Sequence, residues 1–256
     1  MIKAIFFDID DTLMSHRLRD VPPSARDAFA RLKEKGILRF AVTGRHILEL
    51  DELPVRDLTF DGYVTLNGQL CFDAQRTLLY DCPMAPEDAE TLLEVFRRKE
   101  APLTLLESDR IYINFLNPAV RTAQQAISSP VPPVGVYTGN RIYQGIAYGR
   151  EEEVQAMMER VPGCVMTAWN RYGFDIIPRT GGKMVGIQHI LEHFGITPEE
   201  IMAFGDGAND TDMLRYAGTG VAMGNACEEV RCQADYVTSG VDEDRIAQAL
   251  AHFGLL

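Results

Sequence analysis

Short apolar runs and a helical pattern alternate in the first part of the chain. Residues 2–7 are apolar at nearly every position and Leu38–Val42 form a second such run, which is typical of strands buried on both faces of a parallel sheet. A helix is predicted between them from four apolar residues at helical spacing: Ala25, Ala28, Phe29 and Leu32. Ser24 is its predicted N-cap and Gly36 its stop. Strand, helix and strand form one right-handed crossover unit.

The pattern changes after Asp61. Residues 63–66 and 70–72 flank an Asn67-Gly68 pair, which predicts an antiparallel hairpin beside the main sheet. Between residues 83 and 179, helical and strand patterns alternate: helices are predicted at 87–99 and 151–160, and strands at 103–106, 111–115, 142–148, 165–169 and 173–177. This segment is predicted to be a separate α+β module.

From Lys183 onward the parallel-sheet pattern returns. The predicted elements are a helix at 183–194, a strand at 201–204, a further helix, strands at 220–223 and 236–237, and a helix at 243–253. The smaller module is therefore inserted into the larger one. We assign residues 1–82 and 180–256 to an α/β domain with a parallel sheet, and residues 83–179 to the inserted α+β domain.

Composition narrows the functional classes. The chain has 256 residues, 46% of them hydrophobic, which is enough for a packed core. Its formal net charge of -12 argues against nucleic-acid binding, although a locally positive pocket for a small phosphate ester stays open. Five cysteines without metal-binding spacing indicate reduced thiols. Asp8 comes too early for a signal peptide and no apolar run could span a membrane, so we expect a soluble cytoplasmic protein without a membrane partner.

A cluster of acidic residues directly follows the first predicted strand, in the sequence Asp8-Ile9-Asp10-Asp11-Thr12-Leu13. Ligands of open parallel sheets bind beyond the carboxyl ends of the strands, so a site is expected here. Asp8 and Asp10 would face one ligand, through the side chain and the backbone respectively. Taken alone, the segment also fits a solvated acidic turn.

Residues 205–210, Gly-Asp-Gly-Ala-Asn-Asp, follow another buried strand and open a helix. The glycines permit a tight turn, and Asp206 and Asp210 could share a hard cation with Asp8. Oxygen ligands favour magnesium. A helix cap with turn glycines is the alternative for this segment alone.

Two shorter segments suit a phosphate group. Thr43-Gly44-Arg45 follows the second strand and offers a hydroxyl and open backbone N–H groups, although by itself it is usually just a turn. Lys183 stands at a predicted helix start, where positive charge is disfavoured. That conflict points to function, while a solvated surface lysine is the commoner explanation.

These four segments, in this order, resemble the haloacid dehalogenase-like (HAD-like) phosphohydrolases, specifically the Cof-type branch with a large α+β cap between the second and third motifs. The resemblance covers nearly the whole chain, and the first and last motifs are the most specific. It implies a Rossmann-like core with helices on both faces of a parallel sheet, plus an inserted cap domain that closes over the leaving group and selects the substrate.

The resemblance also implies residue roles. Asp8 would be the nucleophile that forms an aspartyl-phosphate, and Asp10 the acid and base. Asp8, the backbone carbonyl of Asp10, and Asp206 would hold Mg2+, with Asp210 as a direct or water-mediated ligand. The residues that would bind the transferring phosphoryl group are Thr43, Gly44, Lys183 and Asn209. Two departures from the family pattern are Asp11 and Met184, each standing where glycine is common.

The predicted function is that of a magnesium-dependent phosphatase for a small phosphorylated metabolite, either a sugar phosphate or a phosphorylated cofactor. A phosphomutase or phosphotransferase, and a non-catalytic protein that binds a phosphate ligand, stay open as alternatives. Polar residues of the cap, among them Asn114, are not assigned to the site because structural roles are the commoner explanation for them. The oligomeric state is left open.

Overall fold

The computed structural model describes residues 1–239 and 244–256. The chain divides into two compact units, Met1–Tyr80 with Lys183–Leu256, and Asp81–Gly182. These limits lie within three residues of the boundaries that the sequence suggested. The catalytic and cap roles of the two segments stay predictions.

The described residues contain thirteen strands: β1 (Ala4–Asp8), β2 (Leu38–Val42), β3 (Gly62–Thr65), β4 (Leu70–Asp73), β5 (Leu78–Asp81), β6 (Leu103–Leu106), β7 (Ile111–Ile113), β8 (Gln144–Tyr148), β9 (Cys164–Asn170), β10 (Gly173–Pro178), β11 (Ile201–Gly205), β12 (Thr219–Ala222) and β13 (Tyr236–Val237). They also contain eight α-helices: α1 (Pro23–Glu34), α2 (Pro86–Arg98), α3 (Pro118–Ala126), α4 (Glu151–Met158), α5 (Lys183–Phe194), α6 (Thr211–Tyr216), α7 (Glu228–Arg231) and α8 (Arg245–His252). Short 3-10 helices join several of them.

The first unit is built on an eight-stranded sheet in the order β13-β12-β11-β1-β2-β3-β4-β5. The strands from β13 to β3 run parallel, and β4 pairs antiparallel with β3 as the predicted hairpin requires. All five residues of β1 are buried, which explains its continuous apolar run. Both the α/β fold class and the parallel core are therefore confirmed.

Alternate residues of β1 face two helical layers. Phe6 stacks on Phe40 at 4.7 Å and belongs to a core with Ile187 of α5 and Met213 of α6. Phe7 instead packs 4.8 Å from Phe29 of α1. Because consecutive strand residues point to opposite faces, β1 anchors helices on both sides of the sheet and is fixed at its centre.

The second unit is an antiparallel sheet in the order β7-β6-β8-β10-β9. Helices α2 and α4 pack on it through a core that includes Leu92, Phe96, Met157 and Phe174. This architecture is the α+β module that the sequence predicted.

Some local predictions are wrong at the ends of helices. Ser24 is not the N-cap of α1: Pro22 occupies the cap and Pro23 the first helical position, where the fixed φ of proline suits the helix. Gly36 does end this helix, with φ +71. Helix α3 was not predicted. The predicted helix at 243–253 appears as Arg245–His252, while Glu243 lies outside the described residues.

In the described part of the chain, no helix combines the length and the apolar character that crossing a bilayer requires. The five cysteines are free thiols: Cys71, Cys82, Cys164, Cys227 and Cys232. The cytoplasmic location stays a prediction.

Candidate active site

The carboxyl ends of neighbouring parallel strands bring the predicted motifs together. Asp8 is the last residue of β1, whose register places it opposite Val42 at the end of β2. On the other side, Phe7 pairs with Phe204, one residue before the end of β11. The segments that follow these strands therefore begin at one edge of the sheet, as the sequence predicted.

Lys183 joins two of the acidic motifs. Its side chain is 2% exposed, and Nζ lies 2.6 Å from Oδ1 of Asp8 and 2.6 Å from Oδ1 of Asp210. Burial lowers the pKa of this ammonium group, but the two carboxylates outweigh burial and hold the pKa above its ordinary value. The unfavourable position of a cation at the start of α5 is therefore offset by two anionic partners.

Asp210 is held by the backbone as well. Its Oδ2 accepts hydrogen bonds from the backbone N–H groups of Asp206 and Gly207, both at 2.9 Å. A Cβ at Gly205 would lie 2.6 Å from Cβ of Asp210, so a larger residue does not fit there. The glycine thus permits the close approach of β11 to the carboxylate.

Asp206 is oriented by two residues that sequence reasoning missed. Thr12 Oγ1 donates to its Oδ1 at 2.9 Å, and Asn225 Nδ2 donates to its Oδ2 at 2.8 Å. Asn225 Nδ2 also donates to the carbonyl of Asp11 at 3.0 Å. Thr12 belonged to the quoted first motif, whereas Asn225 follows β12 at the same sheet edge and carried only that positional signal.

Asp8, Asp206 and Asp210 form a cluster in which one carboxylate oxygen of each lies within 4.8 Å of the others. Mg2+ binds oxygen ligands at about 2.1 Å and keeps several waters, so carboxylates at this spacing can share one ion directly or through a bound water. Three carboxylates against the single ammonium of Lys183 leave two negative charges when all are ionised. A divalent cation with a preference for oxygen ligands fits this charge and these atoms.

The pKa values of the carboxyl groups in this cluster also suit a bound divalent cation. Burial, followed by the charge of Asp210, raises the pKa of Asp8 well above its usual range. The same two causes raise the pKa of Asp206 to about 7. Carboxylates that are hard to ionise without a partner are those that gain most from a nearby cation.

The carboxylate of Asp10 is not part of this cluster. Arg45 binds it through two hydrogen bonds, from Nε to Oδ2 and from Nη2 to Oδ1, both 2.7 Å long. His16 Nε2 lies 3.1 Å from Oδ1. Although burial raises the pKa of Asp10, Arg45 and His16 together hold it well below its usual range. Arg45 and His16 were not predicted as site residues.

The remaining predicted residues meet through Asn67. The backbone N–H of Asn67 donates to the carbonyl of Thr43 at 2.9 Å, and Asn209 Nδ2 donates to Asn67 Oδ1 at 2.8 Å. Thr43 Oγ1 accepts from the backbone N–H of Arg45 at 3.1 Å, across Gly44. Asn67 is 2% exposed and has a φ of 54, which Asn tolerates better than most residues. The sequence suggested it only as a turn residue.

Comparison with known proteins agrees with these features. The family model for haloacid dehalogenase-like hydrolases matches residues 5–250. The chain belongs to this family. A protein of Bacillus subtilis (strain 168) named "Putative phosphatase YkrA" is 32% identical over 258 residues, which cover 99% of this chain and 98% of that protein. The HMP-PP phosphatase of Escherichia coli O6:H1 is 27% identical to this chain. The match covers 93% of this chain and 89% of the Escherichia coli protein.

Solved structures of this family are similar along the whole chain. A HAD subclass IIB sugar phosphatase is 35% identical with a TM-score of 0.88, over 99% of this chain and all of that one. A HAD superfamily phosphatase from Bacteroides thetaiotaomicron is 32% identical with a TM-score of 0.89, over 100% of this chain and 96% of that one. These relatives and the family match identify this haloacid dehalogenase-like hydrolase as a phosphatase.

Proposed function

We propose that this phosphatase hydrolyses small phosphate monoesters through an aspartyl-phosphate on Asp8, with Mg2+ as its metal ion. The observation that carries the proposal is the placement of Lys183 between Asp8 and Asp210. It joins the first, third and fourth motifs in one buried cluster. Such an arrangement suits a carboxylate nucleophile beside a cation that offsets phosphoryl charge.

In the first step, an oxygen of Asp8 attacks phosphorus while the bond from phosphorus to the ester oxygen breaks. Asp10 gives a proton to the departing alcohol. In the second step, water attacks the phosphorus, Asp10 takes a proton from that water, and the bond to Asp8 breaks to release inorganic phosphate. Dividing the displacement in two replaces one difficult step by two easier ones.

The ionised state of Asp10 in the free protein suits its role as a base. Its role as an acid needs a proton first. A bound phosphate ester brings negative charge, and nearby negative charge raises the pKa of a carboxyl group, so substrate binding moves Asp10 towards the protonated form. Arg45 then keeps the carboxyl group in place while its charge changes.

The bound Mg2+ would neutralise charge that develops on the phosphoryl oxygens. Asp8, Asp206 and the backbone carbonyl of Asp10 are the proposed direct ligands. Oδ2 of Asp210 already accepts two backbone N–H groups and its Oδ1 accepts from the cationic Nζ of Lys183, whereas each oxygen of Asp206 accepts a single neutral donor, Thr12 Oγ1 or Asn225 Nδ2. We therefore assign Asp210 to contact through water. The phosphoryl group would be bound by Thr43, Gly44, Lys183 and Asn209.

We propose sugar phosphates as the first substrate class to test, because the sugar phosphatase is the more similar of the two relatives with named substrates. Phosphorylated cofactors are the second class. No nucleic-acid or membrane partner is proposed.

The test measures inorganic phosphate released from sugar phosphates, nucleotides and phosphorylated cofactors, with Mg2+ and with a chelator. Wild type should be active only with the metal, and Asp8→Asn should be inactive while remaining folded by circular dichroism. Substantial turnover by Asp8→Asn would contradict the mechanism. Isomerised substrate without phosphate release would instead favour a phosphomutase.

A further inference from the structure

The carboxylate of Asp10 is bound unequally at its two oxygens. Oδ1 accepts from Arg45 Nη2 at 2.7 Å and faces His16 Nε2 at 3.1 Å, whereas Oδ2 accepts only from Arg45 Nε among the described residues. A carboxylate has no hydrogen to donate, so the imidazole Nε2 is the donor. Each carboxylate oxygen accepts about two hydrogen bonds, which leaves Oδ2 as the oxygen with remaining capacity.

His16 is placed by the loop that follows β1. The backbone N–H of His16 donates to Asp11 Oδ1 at 3.1 Å. The same loop is closed by hydrogen bonds from the N–H of Asp11 to the carbonyl of Met14, and from the N–H of Ser15 to the carbonyl of Asp20. The side chain of His16 is 15% exposed. These hydrogen bonds fix the loop so that the imidazole ring of His16 faces Asp10.

Asp11 supports this loop through its own side chain. Its φ is 55, in the left-handed region that favours glycine. An aspartate tolerates this region because its side chain can bond locally. Here that bond is the one to the backbone of His16. A glycine could not supply it.

We propose that His16 is a positioning residue that saturates Oδ1 of Asp10 and so makes Oδ2 the oxygen that exchanges protons in the reaction. The proton on Oδ2 passes to the ester oxygen as its bond to phosphorus breaks, and a proton of the attacking water later returns to Oδ2. Arg45 alone would hold both oxygens equally. This inference rests on the proposed function, since it concerns the acid and base of that reaction.

The experiment compares two leaving groups in single-turnover reactions with enzyme in excess, so that only the first chemical step is observed. A hexose 6-phosphate releases an alkoxide, which needs a proton. p-Nitrophenyl phosphate releases a phenolate, which leaves without one. His16→Ala and His16→Phe remove the donor, and the second keeps a ring in the loop should the first fail to fold. His16→Gln keeps an N–H donor, and His193→Ala is the control at an exposed histidine.

Both donor-free variants should lower the rate on the hexose phosphate by about tenfold or more, and on p-nitrophenyl phosphate by less than about threefold. His16→Gln should recover most of the loss, and the enzyme concentration that gives half the maximal single-turnover rate should not change. An equal loss on both substrates, or no loss on either, would overturn the proposal for His16. Inactivity of wild type, or activity of Asp8→Asn, would contradict the proposed function itself, so the two failures are distinguishable.

Discussion

The Nζ of Lys183 lies 2.6 Å from Oδ1 of Asp8, although 175 residues separate the two along the chain. This contact joins the last residue of β1 to the first residue of α5. It is an ion pair in which both side chains are at least nine-tenths buried. Breaking such a pair leaves an unpaired buried charge, and that sets the first prediction.

Lys183→Met should destabilise the metal-free protein by about 3–5 kcal/mol at pH 8. Without the ammonium, the pKa of Asp8 in the folded state rises further above its unfolded value. A carboxyl group whose pKa is raised in the folded state destabilises the fold when it is ionised. The loss of unfolding free energy in Lys183→Met should therefore shrink as pH falls from 8 to 5.5. Urea unfolding with a chelator at both pH values measures it.

Lys33→Met is the matched control, because Lys33 is exposed on α1 of the same unit. This substitution should lower the unfolding free energy by less than about 0.5 kcal/mol at either pH. If the loss of unfolding free energy in Lys183→Met grew as pH fell, Asp8 and Asp210 could not be the groups that the substitution leaves unpaired.

Mg2+ affinity should fall as pH drops below 7. The pKa of Asp206 is raised to about 7, mainly by burial and by Asp210, and the metal binds only the deprotonated carboxylate. Protons therefore compete with the metal, and affinity should drop by up to about tenfold for each pH unit below 7, with little change between pH 8 and 7. Calorimetric titration at pH 8, 7 and 6 measures this dependence.

Asp212→Asn provides the control for this titration, since Asp212 is an exposed carboxylate on α6. It should keep both the affinity and its pH dependence, whereas Asp206→Asn should lose most of the affinity. Equal affinity of the wild type at pH 6 and pH 8 would rule out Asp206 as a ligand with a raised pKa.

A third prediction concerns the pair of Arg39 and Asp61. The guanidinium of Arg39 is 4% exposed, and Asp61 Oδ2 accepts from its Nε at 3.1 Å and its Nη2 at 2.8 Å. Asp61→Asn removes the counter-charge of a buried cation, so we expect a loss of about 3 kcal/mol of unfolding free energy. Asp57→Asn, at a carboxylate 64% exposed, should change stability by less than about 0.5 kcal/mol in the same urea titration. Similar losses in both would show that Arg39 does not depend on Asp61.

The sequence predicted elements better than side-chain partners, for a physical reason. Leu38–Val42 and Lys183–Phe194 appear within their predicted bounds, because burial on a sheet face or helix stripe imposes a local period. The contact between Asn209 and Asn67 joins residues 142 positions apart, and no local period encodes it. Asn67 therefore looked like a hairpin turn.

Helix α3 was missed although a local signal existed. Asn117 accepts a hydrogen bond from the N–H of Val120, and Pro118 stands at the first helical position, which together form a recognised start signal. The helix has only nine residues and buries few apolar side chains, Val120 and Ala123 among them, so its hydrophobic pattern is short. A capping signal should have counted for more than the period in so short a helix.

The last prediction concerns Asn114, a polar residue of the second unit that the sequence left unassigned. It is 3% exposed and makes four hydrogen bonds to the backbone. Its Oδ1 accepts from the N–H groups of Leu103 and Phe115, and its Nδ2 donates to the carbonyls of Phe96 and Ala101. All the hydrogen-bonding groups of the amide are therefore used inside the second unit, which assigns Asn114 to stability rather than to substrate contact.

Asn114→Ala should lower the unfolding free energy by about 2–5 kcal/mol, because it leaves buried backbone groups without partners. The folded fraction should keep the KM of the wild type for its best substrate. Gln125→Ala, at an exposed amide on α3, should change neither quantity. Urea unfolding and initial rates on the same preparations measure both. A raised KM with unchanged stability would show that Asn114 contacts the substrate, and its role would then be substrate binding rather than stability of the second unit.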